Sequence, residues 1–436
     1  MSDFAARGLM CVAMTLTALT SLPALGDLPE HRRVAVLKPT SVEAACCIDE
    51  DDRPNSPGFG SAVAIRDGIA FVGIPKARPN AHVAVYAQTT TGWKRTATLS
   101  VSDPLIPDGI TTNGFGKVIA FRDGVAVIAS ASLLHVFTRN NGVWTDIQQI
   151  PPPPKDGPLK FWEISTMRYE NGILAIGSPS FSGPSVAYIY ERASNGKFVM
   201  RATLRASGSF PGDLFGGDVG VAGNTVVVGG GQHNAAFVFK RKSDGTWVRT
   251  QKLVGADSSP VDSFGAAVAI DRDLILVGAP FHDCYAGSVG QFCSPGTSAD
   301  PSAAGGAAYG FVRVGGQYVQ VFKLRPRSDE SFNYWNFGRR ISMSDRHVAI
   351  DAGVQSFAGD PDIFDFSPGL TFTYSRDGST LTARGLASGY IEQDSSMALF
   401  NRWLVIGSTL DLSVQCTSSL DCFGFVQIRD LSQFAP

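Results

Sequence analysis

Charge is scarce in this sequence. Charged residues make up 17% of the chain, against roughly 25% in an average soluble protein. The 37 Lys and Arg against 39 Asp and Glu leave a formal net charge of -2. Such a chain has no overall field to hold a nucleic acid or an anionic membrane, so neither partner is expected. Catalytic signatures are missing as well: there is no H-E-x-x-H, no G-x-S-x-G, no Walker loop and no G-x-G-x-x-G. Beyond the N-terminal segment no apolar run is long enough to span a bilayer, which argues against membrane insertion. The 7 cysteines include no C-x-x-C spacing, which argues against zinc.

What is present begins with an export signal. Arg7 precedes an apolar stretch from Leu9 to Leu19, and Ala24-Leu25-Gly26 carries small residues at the two positions a signal peptidase reads. Residues 1–26 read as a signal peptide, with a mature chain from Asp27 that is secreted or held in the cell envelope, periplasmic or extracellular. Thr15, Thr17, Thr20, Ser21 and Pro23 interrupt the stretch too often for a transmembrane helix. Without Cys11 the cysteines are an even set, Cys46, Cys47, Cys284, Cys293, Cys416 and Cys422, consistent with disulfides in an oxidising compartment.

The mature chain is repetitive. Hydrophobic residues at 44% and 47 glycines suggest short apolar strands joined by tight turns. Phe59-Gly60 opens an apolar run to Ile65, Asp67-Gly68 makes a two-residue turn, and Ile69 to Gly73 returns, which is a hairpin signature. Related openings follow at Phe115-Gly116, Phe161-Trp162, Phe215-Gly216, Phe264-Gly265 and Phe337-Gly338, and a seventh copy starts near residue 396 without the Phe-Gly pair. After most hairpins comes a strand ending in an aromatic, such as Val83 to Tyr86 or Ala236 to Phe239. A fourth segment then often runs from an aromatic to an aliphatic, such as Trp247 to Leu253. Four strands per copy, repeated radially, describe an all-β, seven-bladed β-propeller of four-stranded antiparallel blades.

The Phe-Gly opening and the Gly-Ala-Pro close of the fifth copy, Phe264 to Pro280, resemble the FG-GAP repeat of integrin α-subunits and of many exported bacterial proteins. The resemblance covers nearly all of residues 27–436 and implies one propeller domain, but it is specific for fold and poor for function. Integrin-like propellers hold Ca²⁺ in an extended Asp-rich loop between the first two strands. None of these turns has that length, so those sites are not transferred. The last copy stops after its third strand, while residues 32–38 resemble a fourth. The N-terminal strand is therefore expected to complete the last blade and leave no open edge. Cys46 and Cys47 would then lie near Cys416 and Cys422 at the closure seam, where bonds between the pairs would lock it. The alternative pairs each of them locally, and Cys284 with Cys293 is local in both patterns.

In a four-stranded blade, the second-to-third-strand connections and the inter-blade connections emerge on one face, opposite the hairpin turns. Here that face carries the long connections, from Phe281 to Ala304, Ala352 to Pro368 and Ser408 to Asp421. A monomer binding a glycan or protein ligand there, as an adhesion module, is the expected role. His82, His233, His282 and Asp283 are the candidate ligand-binding residues. The alternative is a carbohydrate-active enzyme, a lyase or hydrolase, in which His233, His282 and Tyr285 would supply acid-base groups. Asp360, Asp362 and Asp365 are a candidate calcium site, although their spacing matches no loop with fixed metal ligands. A solvated acidic loop with no cofactor is the simpler reading. Asp213 and Asp262, ahead of two Phe-Gly pairs, are read as turn-fixing residues.

Overall fold

Turn chemistry closes the inner hairpins. Asp67-Gly68 has φ of 49° and 71°, and Asp123-Gly124 has 51° and 71°. A type I′ turn requires left-handed values at both central residues, and its twist matches that of the strands it joins. The first joins Val63–Arg66 to Ile69–Ile74 and the second joins Ile119–Arg122 to Val125–Ala129.

The computed structural model describes residues 33–40, 58–77, 81–102, 114–153, 163–180, 183–208, 210, 212–282, 305–325, 333–355, 369–389, 396–410 and 423–434. They form seven antiparallel sheets in sequence order around a ring. Blade 5 is representative, with Ala267–Asp271 innermost, then Leu274–Ala279, Ala307–Val314 and Gln317–Leu324 at the rim. The innermost strands of the other blades are Val63–Arg66, Ile119–Arg122, Thr166–Glu170, Phe215–Ala222, Ile341–Met343 and Ser396–Phe400. Blade 6 differs in one detail, because Asn333–Trp335 also pairs with the second strand, His347–Gln355. The expected clasp is present: Arg33–Leu37 pairs antiparallel with Phe423–Asp430 as the fourth strand of blade 7, Leu37 opposite Val426 and Ala35 opposite Ile428.

Burial explains the repeat. Second and third strands read as continuous apolar runs because both of their faces pack on neighbouring blades, whereas rim strands alternate. The core is accordingly divided among the joints between blades. Val238, Phe264, Val277 and Tyr309 fill the one between blades 4 and 5, while among the described residues Ala349, Ala387, Leu404, Ile406 and Leu431 form the smaller buried cluster between blades 6 and 7.

The two ends of the repeat motif meet across these joints. Phe59, Phe115, Phe215, Phe264 and Phe337 are wholly buried. The glycine after each lies against a second-strand glycine of the preceding blade, giving the pairs Gly60 with Gly407, Gly116 with Gly73, Gly216 with Gly177, Gly265 with Gly229 and Gly338 with Gly278. A Cβ on the second-strand partner would overlap the carbonyl oxygen of the other glycine. At the two remaining joints both glycines are lost together. Gly116 and Gly338 donate their N–H groups to Ala129 and Asp351, which mark the second-strand position in blades 2 and 6. The copies that follow these two blades carry Trp162 after Phe161, or no Phe-Gly pair at all. The glycines are thus a contact between blades, lost or kept as pairs.

Candidate functional site

The ring encloses an axial channel walled by the innermost strands. At one register six copies place a small residue on it: Ala64, Ala120, Gly220, Ala269, Ser342 and Ala398. The third copy places Arg168 there, and this side chain is the polar feature shared by the cavities at the two mouths. Arg168 donates to the Thr166 hydroxyl (3.3 Å) and the Met167 carbonyl (3.1 Å) and approaches Asp218 at 3.7 Å. Asp218 joins three blades: it accepts from Thr166 Oγ1 of blade 3 (3.1 Å), its neighbour Val219 N–H (2.9 Å) and Val268 N–H of blade 5 (3.0 Å). Burial pushes its carboxyl above the usual range, with Arg168 and these donors acting against the shift.

The two mouths differ in charge. The cavity on the hairpin face, about 910 Å³, carries both signs. Its charges pair across joints between blades: Arg122 Nη1 with Glu170 at 3.1 Å, Arg376 Nη1 with Asp271 at 2.5 Å, and the Arg66 guanidinium 4.4 Å above the Phe400 ring. On the connection face the cavity is about 510 Å³ and is lined by Lys76, Lys117, Arg168, Arg339 and Arg340 against Asp218. Arg340 Nη1 also contacts the buried Asp351 at 3.1 Å. Burial holds the Lys117 ammonium below the usual lysine range.

The histidines expected to act sit elsewhere. His82 begins the third strand of blade 1 opposite Ser100, half-buried. His233 Nε2 lies 3.0 Å from Asp213, and His282 Nδ1 lies 2.7 Å from Asp262. These pairs bind a second-to-third-strand connection to the preceding inter-blade connection in blades 4 and 5. The two aspartates also accept backbone bonds, Asp213 from Phe215 N–H (3.0 Å) and Phe210 N–H (3.2 Å), Asp262 from Ser259 N–H (2.9 Å). In blade 5 the cluster widens. The Tyr309 hydroxyl donates to Asp257 (2.9 Å) and lies 3.2 Å from His282 Nδ1, and Lys323 Nζ contacts Asp257 and lies 3.1 Å from His282 Nε2. An ammonium has only protons to offer, so Nε2 accepts and Nδ1 donates to Asp262. Tyr309 and His282 are buried, and among the described residues no histidine lines either cavity.

His135 is fully buried with Nδ1 2.8 Å from Asp146. Asp283, Tyr285, Asp360, Asp362, Asp365 and the six cysteines Cys46, Cys47, Cys284, Cys293, Cys416 and Cys422 lie outside the described residues. Among the described residues no group of three His, Cys, Asp or Glu side chains is placed to hold a metal ion, and no helix is long and apolar enough to cross a membrane.

The His233 pair yields a test. Burial alone would raise the Asp213 carboxyl, but bonds from Phe215 N–H, the Ser185 hydroxyl, His233 and Phe210 N–H outweigh it and hold the group below the usual range. A depressed folded value contributes stability that is present above the unfolded value and lost as pH falls through the folded one. Asp213→Asn should therefore cost about 1–3 kcal/mol near pH 7, and the gap to wild type should close below about pH 4. Urea melts at both pH values measure this, and a gap independent of pH would refute it.

The FG-GAP repeat family matches residues 247–291, which hold the fourth strand of blade 4, Phe264-Gly265 and Gly278-Ala279-Pro280. With the Phe-Gly pairs docking blade on blade, the match supports an FG-GAP kinship. The chain is a β-propeller that carries an FG-GAP repeat. No curated protein matches its sequence. Among solved structures this propeller is similar to the WD40 domain of Toxoplasma gondii coronin, at 8% identity and a TM-score of 0.48, covering 94% of this chain and 89% of that one. Kluyveromyces lactis Hsv2 is similar at 11% identity and a TM-score of 0.42, covering 86% and 99%. A Lactobacillus plantarum protein matches at 11% identity and a TM-score of 0.44, covering 76% and 88%. Likenesses this distant transfer no ligand or activity to this chain.

The cavity residues Lys117, Arg168, Asp218, Arg339 and Arg340 were not among those the sequence reading singled out. Arg168 had a signal there, as the one large charged residue in a column otherwise Ala, Gly or Ser. Lys117 and Arg339 likewise share one position, directly after a Phe-Gly pair, in copies two and six.

Proposed function

We propose that this propeller is an exported binding module that takes a glycan or protein ligand on its connection face, centred on the mouth of the channel. The observation that carries the reading is the open cavity of about 510 Å³ on that face, into which several blades bring cationic side chains and hydroxyls. Recognition needs an accessible concave surface with a few convergent polar groups. Acid-base catalysis needs His, Tyr or carboxylate groups within hydrogen-bond reach of a substrate. The groups of the second kind are buried around His282, while the cavity supplies cations and hydroxyls. Export rests on the N-terminal segment and the even cysteine set.

A second reading, a carbohydrate-active enzyme, draws on the convergence of His282, Tyr309, Lys323 and Asp257 in blade 5. Incubating the mature protein with plant, algal and animal polysaccharides separates the two. Absorbance near 235 nm follows unsaturated uronate ends, a reducing-sugar assay follows hydrolysis, and retention on immobilised glycans or on extracted surface proteins follows binding. Retention without product is expected. Product formation lost in His282→Ala would replace the binding module with the enzyme.

A further inference from the structure

We propose that the connection-face mouth of the channel binds the acidic groups, carboxylate or sulfate, of a polysaccharide. The inference rests on the binding-module reading and adds the chemistry of the ligand. Although the chain carries a formal net charge of -2, this mouth gathers cations from four blades: Lys76 of blade 1, Lys117 of blade 2, Arg168 of blade 3, and Arg339 and Arg340 of blade 6. Among the described residues one carboxylate, Asp218, lines the same cavity, and its oxygens already accept bonds from Thr166, Val219 and Val268. Arg340 is shared with Asp351. A cleft of one sign with low-dielectric walls concentrates field and draws counter-charge. Guanidinium groups suit carboxylate and sulfate because their planar fork can engage two oxygens at once.

The rest of the lining narrows the class. No aromatic side chain is among the described residues of this mouth. Protein hot spots lean on buried aromatic anchors, and single-stranded nucleic acid needs stacking platforms. A ligand read mainly by charge and hydroxyl contacts satisfies what is there, and about 510 Å³ suits a few sugar units bearing acidic groups. The hairpin-face mouth is larger, but its charges are of both signs and pair with one another across the joints.

The test is calorimetric titration of the mature protein with polygalacturonate, its fully methyl-esterified form and a sulfated glycan, with inorganic sulfate and oligothymidylate alongside. Expected are binding of the acidic glycans and none of the ester. Affinity should fall about tenfold or more in Lys76→Gln/Lys117→Gln and stay unchanged in Lys240→Gln on the other mouth. Arg339→Gln repeats the measurement should the double variant fold poorly. Binding of the ester as tight as that of the acid would overturn the charge assignment and leave the binding module standing. Acidic-glycan affinity unmoved by these variants would overturn the placement. Inorganic sulfate binding as tightly as the glycans would make the ligand a free anion, and oligothymidylate binding equally would make it any polyanion; either overturns the polysaccharide. No retention of any glycan or protein would overturn both readings.

Discussion

Gly278→Ala is expected to lower the stability of the propeller by at least about 3 kcal/mol, near the upper end for a single added methyl group. Gly278 lies next to the end of the second strand of blade 5, Leu274–Ala279, and the backbone of Gly338 in blade 6 rests on it. The new Cβ would fall on the Gly338 carbonyl oxygen, with the Gly338 carbonyl carbon and Cα close behind. The obstacle is backbone, so no rotamer change relieves it, and the ring must separate blades 5 and 6. That separation would also loosen Phe337, which is fully buried in the same joint. Two comparisons make the measurement specific. Gly124→Ala sits at φ 71° with open space around its Cβ, so it should cost only about 1 kcal/mol of backbone strain. Ala129→Gly restores the missing glycine where no partner glycine faces it, so it should cost about 0.5–1 kcal/mol and stabilise nothing. Thermal and urea melts of the three variants decide the matter. Equal melting of Gly278→Ala and wild type would show that glycine pairing does not hold the joints.

Leu37→Asp is expected to open the ring at its seam, with a loss of about 3–5 kcal/mol. Leu37 is the last residue of the N-terminal strand and is buried with Val426, Ile428, Val405 and Phe59. The clasp joins the two ends of the described chain, so its packing and its ladder with Phe423–Asp430 are made by a strand with the longest sequence separation in the fold. A carboxyl in that apolar cluster loses its hydration whether it ionises or is forced neutral, so it would drive the strand away and leave Phe423–Asp430 as an unpaired edge. The joint carries its own reporter, because Trp93 of blade 1 and Trp403 of blade 7 meet edge to face at 6.0 Å. Loss of the clasp should shift tryptophan emission to the red before global unfolding and produce higher oligomers in size-exclusion chromatography. The neighbouring exposed Val36→Asp should do neither, since Val36 points to solvent. An unshifted emission in Leu37→Asp would mean that the last blade is stable on three strands.

Much of this architecture was open to a reading of the sequence, because propeller blades are local. Each hairpin is set by two adjacent turn residues, as Asp67-Gly68 shows. Each buried strand must be apolar because it packs on both faces, as Leu274 to Ala279 shows. The seven copies, the four-strand unit and the closing N-terminal strand all follow from patterns within about fifty residues, or from a missing strand at one end matching a spare one at the other. The Phe-Gly and Gly-Ala-Pro ends of the motif were equally visible. That they touch each other across a joint was not, since nothing in one copy reveals which part of its neighbour it meets.

The site lay beyond such a reading for the same reason. His233 and His282 fall in second-to-third-strand connections, which made them natural candidates, and each is bound to an aspartate twenty residues earlier in the chain, brought close only by the return of its own blade. Lys76, Lys117, Arg168, Arg339 and Arg340 are unremarkable in their local segments and are spread over more than 260 residues. What makes them a cluster is the closure of the ring, which brings the inner edges of blades 1, 2, 3 and 6 to one axis. Sequence by itself determined the strands, the blades and their number, since these depend on short-range turn geometry and on burial. Only the tertiary structure decided which charges share a cavity, because Coulomb interaction depends on distance through space.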